Sequence, residues 1–113
     1  MITRASQQVN TAREKMRGGN GTVHLSALVS ELTENVRLFS RLVLAPGASI
    51  GYHVHVGETE LFYFAQGRGL VSDNGTMVEV QAGDAMSTPN GCGHSVENTG
   101  DTNLILIAAI VRD

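Results

Sequence analysis

The 113-residue chain fits one domain and leaves no room for a second, and 42% apolar with 17% charged residues describes a globular protein rather than a disordered one. A net charge of −3 supplies no basic excess to neutralise phosphates, so neither nucleic acid nor a membrane is expected as a partner. Cys92 stands alone, which excludes an intrachain disulfide; with no apolar stretch in the first twenty residues and none longer than Leu104 to Val111, a reducing, cytoplasmic setting is expected.

Residues 1–21 read as a polar, irregular N-terminal arm, and residues 22–113 as the folded domain. Within the arm Val9, Ala12 and Met16 make only a thin apolar stripe. Arg13, Lys15 and Arg17 are the only basic residues that crowd together, and they sit beside Glu14. The glycines at 18, 19 and 21 lack the preceding strand and following Lys-Ser/Thr of a phosphate loop and read as a turn.

From Thr22 the chain breaks into short β-like runs between turn residues. Val23–Val29 comes first, then Val36–Leu44, Ser49–His55, Glu60–Ala65 and Gly69–Ser72. Val78–Val80, Ala85–Thr88, His94–Asn98 and Leu104–Val111 follow. Asn74-Gly75 between apolar pairs predicts a tight hairpin. Along Val36–Leu44, strict alternation puts Val36, Leu38, Ser40, Leu42 and Leu44 inside and both Arg37 and Arg41 outside. Many short strands with regular turns predict an all-β sandwich or barrel, and no internal repeat suggests a second one.

His53 and His55 stand two residues apart, so on a strand both imidazoles project from one face. Glu60 opens the next run, and His94 follows the turn Pro89-Asn90-Gly91-Cys92-Gly93. Three imidazoles and a carboxylate converging in a barrel suit a borderline divalent metal, although Glu58 is a competing carboxylate two residues from Glu60.

These residues carry a resemblance. Gly47–Gly67, with His53-x-His55, four residues, Glu60, six residues and Gly67, resembles the first cupin motif. Gly83–Asn98, with Pro89, Gly91 and His94, resembles the second, and the short spacer 68–82 is similar to that of compact prokaryotic cupins. The resemblance implies a double-stranded β-helix, or jelly-roll barrel, holding one divalent metal ion (Mn, Fe, Ni or Zn) through His53, His55, Glu60 and His94. Its register favours Glu60 over Glu58, which then reads as a solvated turn residue. It also assigns turn roles to Gly47, Gly67, Gly83, Pro89 and Gly91.

Such a site keeps open positions and a residual positive charge, which favours carboxylate, keto-acid or enediolate ligands. The expected activity is that of a metal-dependent enzyme using Lewis-acid or dioxygen chemistry, of decarboxylase, dioxygenase or isomerase type. The alternative is a binding module without turnover. Phe62 and Phe64 share the parity of Glu60, and Met86 lies on a neighbouring run; these three are either pocket lining or plain core. Tyr52 and Tyr63 have the opposite parity and no spare interior acid or base emerges, so either a metal-bound hydroxide is the base or Glu60 doubles as one. Within the superfamily the chain resembles the oxalate-decarboxylase-like group, whose two-barrel members use an extra arginine and a lid glutamate that no residue here announces. Small cupins form homodimers through an N-terminal strand, a role open to residues 1–29. His24 is expected at a surface or interface, and Cys92 as a passive turn residue.

Overall fold

The computed structural model describes residues 1–113. Ten strands follow in chain order: β1 (Val9–Glu14), β2 (Thr22–Ala27), β3 (Val36–Leu44), β4 (Ser49–Val54) and β5 (Glu58–Gln66), then β6 (Arg68–Asp73), β7 (Thr76–Gln81), β8 (Ala85–Thr88), β9 (Gly93–Asn98) and β10 (Leu104–Arg112). They form two antiparallel sheets, β1-β2-β3-β10-β5-β8 and β4-β9-β6-β7. The strand spacing predicts an all-β sandwich or barrel, and the architecture is the jelly roll that the cupin resemblance implies. No helix is long and apolar enough to cross a membrane.

Alternation explains how the sheets close on each other. On β3, Ser40, Leu42 and Leu44 are buried, and on β10 Leu104, Leu106, Ala108 and Ile110 are buried with more exposed residues between them. Their inner faces meet Val71 and Val96 of the other sheet in one apolar cluster, in which Phe64 is fully buried. Asn74 and Gly75 make the β6–β7 turn with φ of 49° and 99°, the positive angles that a two-residue hairpin needs.

Two features depart from the sequence reading. The arm is not irregular: β1 pairs residue for residue with β2, from Val9 opposite Ala27 to Glu14 opposite Thr22. All six of its side chains are exposed, so backbone pairing rather than apolar burial holds it, and no hydrophobic pattern announces it. Arg37 is the second departure. Ile110 faces Leu38 but Val111 faces Val36, so Arg37 is the extra residue of a bulge. A bulge re-aims its side chain, and Arg37 reaches the end of the barrel instead of pointing away from it.

The opposite end is fastened by Asn98, which is buried. Its Nδ2 donates to the Leu44 and Thr102 carbonyls, both at 2.8 Å, and its Oδ1 accepts from the Gly100 N–H at 2.9 Å. Asn98→Ala removes all three bonds and takes a donor from the carbonyl of the buried Leu44. The expected cost is about 2–3 kcal/mol, read as a fall in calorimetric Tm of roughly 10 °C. An unchanged Tm would show that water replaces the amide at no cost.

Candidate metal centre

His53 lies on β4 directly opposite His94 on β9, and Glu60 lies on β5 of the other sheet, opposite Thr88 on β8. His55 follows β4 and is fixed by the Pro89–Gly93 turn: its N–H donates to the Cys92 carbonyl at 3.0 Å, and its own carbonyl accepts from the Gly91 N–H at 2.7 Å. The cluster thus bridges the two sheets. His55, Glu60 and His94 are 3%, 7% and 1% exposed, while His53 is half-buried at the mouth.

Four donor atoms converge there. Glu60 Oε1 is 2.9 Å from both His55 Nε2 and His94 Nε2. His94 Nε2 is 3.1 Å from His55 Nε2 and 3.2 Å from His53 Nε2. The three rings stand edge to face around one point, with centroids 4.7–5.0 Å apart. Donors bonded at right angles to one ion about 2.1 Å away stand about 3.0 Å apart, so these spacings suit a single coordination sphere.

The protons sit on the far sides of the rings. His53 Nδ1–H donates to the Gly51 carbonyl at 2.8 Å, and His55 Nδ1–H to the Glu58 carboxylate at 2.6 Å. Thr88 Oγ1 lies 2.7 Å from His94 Nδ1 and accepts its N–H when Nε2 serves as a ligand. Burial holds His53 below its ordinary pKa; the bond to Gly51 opposes this, and the charges of His94, Arg17 and His55 add to it. Imidazole lone pairs and a carboxylate facing one another without a proton between them repel, and a cation relieves that repulsion. His53, His55, Glu60 and His94 therefore form a cluster that can hold a metal ion.

Glu58 is not a solvated turn residue. It opens β5 with the inward parity of Glu60 and is largely enclosed, accepting from His55 and from two nitrogens of Arg37 at 2.9 and 2.7 Å. The Arg37 guanidinium, with His55 behind it, holds the Glu58 carboxyl at about 2, so it stays ionised throughout the neutral range. Arg37, Glu58 and His55 form a relay that orients one ring of the cluster. Glu58→Gln is expected to weaken metal affinity about 10- to 100-fold, and Arg37→Met less, in competition titrations against a chelator. Wild-type affinity in both variants would exclude the relay.

A cavity of about 70 Å³ opens beside the cluster; among the residues around it are His53, His55 and Glu60, with Arg13, Arg17 and Arg37 at its mouth. Phe62, Phe64 and Met86 lie in or against the apolar core, with Phe62 stacked on the His94 ring at 4.8 Å and 10°. Tyr52, Tyr63 and His24 are exposed, and Cys92 is half-buried in its turn. Four residues beside the cluster escaped the sequence reading: Glu58, the bulged Arg37, and the arm's Arg13 and Arg17. The signals that could have found them were the three-residue step from His55 to Glu58 and the basic cluster at residues 13–17.

A double-stranded β-helix with three histidines and a glutamate at one end defines the metal-binding class of jelly-roll barrels. Residues 40–110 match the Cupin domain family, and the chain belongs to that family. It is 42% identical to an oxalate-binding protein of Thermotoga maritima over 98% of this chain and 93% of that one. A crystal structure of a Thermotoga maritima protein described as a predicted oxalate decarboxylase superposes with a TM-score of 0.94, at 41% identity, over the whole of both chains. An RmlC-like cupin from Shewanella frigidimarina, 17% identical, shares the fold with a TM-score of 0.73 over 99% of this chain and 90% of that one.

Proposed function

We propose that this cupin binds one divalent metal ion through His53, His55, Glu60 and His94 and uses it to act on a small carboxylate, keto or enol ligand of the oxalate type. The observation that carries the reading is the convergence of three Nε2 atoms and one carboxylate oxygen, each ring turned by its own bond at Nδ1. Mn, Fe, Ni and Zn all suit such donors, and the bound ion supplies Lewis acidity toward carboxylate oxygens or, where redox-active, oxygen chemistry. The 70 Å³ cavity admits a ligand of a handful of heavy atoms and little water beside it. The 42% identical relative described as an oxalate-binding protein points to the same ligand class.

Glu60 is the one carboxylate at the cluster without an arginine partner, so in any turnover proton transfer would fall to Glu60 or to a hydroxide on the bound ion. Glu58 is locked as an anion, and its bond to Arg37 raises that guanidinium's pKa further. That shortage of free acids and bases favours a second reading, in which the site captures its ligand without turnover. The test loads untagged protein with each metal in turn, titrates oxalate by calorimetry and then assays for product. Turnover establishes the enzyme, and stoichiometric binding without product establishes the binding module. A protein that stays metal-free after reconstitution overturns both.

The chain is also proposed to act as a homodimer. Phe39, Leu61 and Tyr63 leave an exposed apolar face on the six-stranded sheet, and β1 leaves an open edge. Light scattering on the full chain and on one lacking residues 1–21 checks this. A monomer in the first case ends the proposal, and an unchanged dimer in the second removes the arm from it.

A further inference from the structure

We propose that the N-terminal arm belongs to the ligand site, and that Arg13 and Arg17 at the cavity mouth select compact ligands carrying two carboxylates. The inference rests on the metal-centred reading above and adds to it two residues from a segment outside both cupin motifs.

The pairing of β1 with β2 sets Arg13 opposite Val23, so its side chain rises from the sheet face on which Val23 is buried; Glu14 lies on the other face. Arg17 is delivered by the turn that follows. Lys15 and Arg17 have φ of 49° and 55°, left-handed angles that residues other than glycine rarely adopt. Such a backbone persists only where its surroundings impose it, and here they do. Met16 packs on the core, Lys15 N–H donates to the Gly21 carbonyl at 2.9 Å, and Ser49 N–H donates to the Asn20 carbonyl at 2.9 Å.

The contact between arm and barrel is close enough to require glycine on both sides. A Cβ on Gly51 would stand 2.0 Å from the Arg17 carbonyl oxygen, and a Cβ on Gly19 2.1 Å from that of Ser49. The Arg17 backbone is thereby pressed onto β4 two residues before His53. The turn serves to present that side chain at the cavity.

Charge then decides what enters. Arg37 is spent on Glu58, whereas neither Arg13 nor Arg17 has an ion-pair partner within the chain. Two guanidinium groups without ion-pair partners line the cavity beside a cluster in which Glu60 alone would only half neutralise a divalent ion. A dicarboxylate with a short backbone meets both demands: one end for the metal, the other for a bidentate guanidinium fork. A monocarboxylate meets only the first, and the small cavity bars a long chain.

The test uses the full-length metal-loaded protein. Calorimetry compares oxalate with glycolate, which has one carboxylate, on wild type, Arg13→Gln, Arg17→Gln and the double variant, with metal content measured on each. Each single variant is expected to lose about tenfold in oxalate affinity and the double about 100-fold, while glycolate affinity changes less than threefold and metal content is unchanged. Gly51→Ala, which leaves both arginines in the sequence but displaces the arm, is expected to match the double variant. Oxalate affinities within twofold of wild type in the double variant would overturn the arm's role and leave the metal reading standing. Equal losses for oxalate and glycolate would overturn selection by the second carboxylate. A wild type that takes up no metal removes the metal reading itself, and this inference with it.

Discussion

His55→Ala is expected to bring metal content below about a tenth of wild type, measured by plasma mass spectrometry on untagged protein. His55 is the best-placed of the four donors to lose. Its Nε2 lies within 3.1 Å of both Glu60 and His94, its Nδ1 is bound to Glu58, and its backbone is tied to the Pro89–Gly93 turn. Removing one ring deletes a ligand and also cuts the Arg37–Glu58 relay from the site. Outer partners alone are worth 10- to 100-fold in metal affinity, and a ligand is worth more. The linked prediction concerns stability. An ion present at about 1,000 times its Kd stabilises the folded state by about 4 kcal/mol, so a chelator should lower the wild-type Tm by roughly 15 °C. The His55→Ala variant, already empty, should not respond. If chelation leaves the wild-type Tm in place, the cluster holds no tightly bound ion.

Much of the barrel was legible because its strands are half-buried and therefore alternate. Ser40, Leu42 and Leu44 face inward in sequence and structure alike, and Asn74-Gly75 turns where two positive φ angles are required. The His pair was legible for the same reason, since a period of two sets His53 and His55 on one side; the choice of Glu60 over Glu58 and the role of His94 rested on the resemblance to the two cupin motifs. What escaped lies where side-chain pattern and backbone geometry part. The strand β1 buries nothing, so its existence rests on a ladder of backbone bonds that no residue type announces. The β3–β10 bulge breaks the alternation at Arg37 without a glycine or proline to mark it. Glu58 read as a turn residue because the motif register favoured Glu60, and Arg37 was placed on the outer face. The ion pair between them and its bond to His55 are visible only once the bulge is in place. Gly51 and Gly19 show the converse case, since their need for hydrogen in place of Cβ becomes visible only when the two segments are brought together.

Phe62→Ala is expected to destabilise the fold by about 3–5 kcal/mol, a large share of the stability of a domain this size, and to loosen the metal site with it. The ring is 4% exposed and joins two environments. One neighbour is Phe64, edge-on at 6.1 Å and fully buried in the core. The other is the His94 imidazole, stacked at 4.8 Å with planes 10° apart. Truncation leaves a cavity in a closed β-structure that has few ways to collapse, and it frees His94 to tilt about its bond to Thr88. Thermal melts in excess chelator isolate the packing loss, and competition titrations give metal affinity; the second is expected to fall by about tenfold. Phe62→Leu keeps most of the volume without the flat face, so it should recover most of the stability and little of the affinity. If leucine restores both equally, the stack contributes packing alone, and the alignment of His94 rests on Thr88 and the β4–β9 pairing.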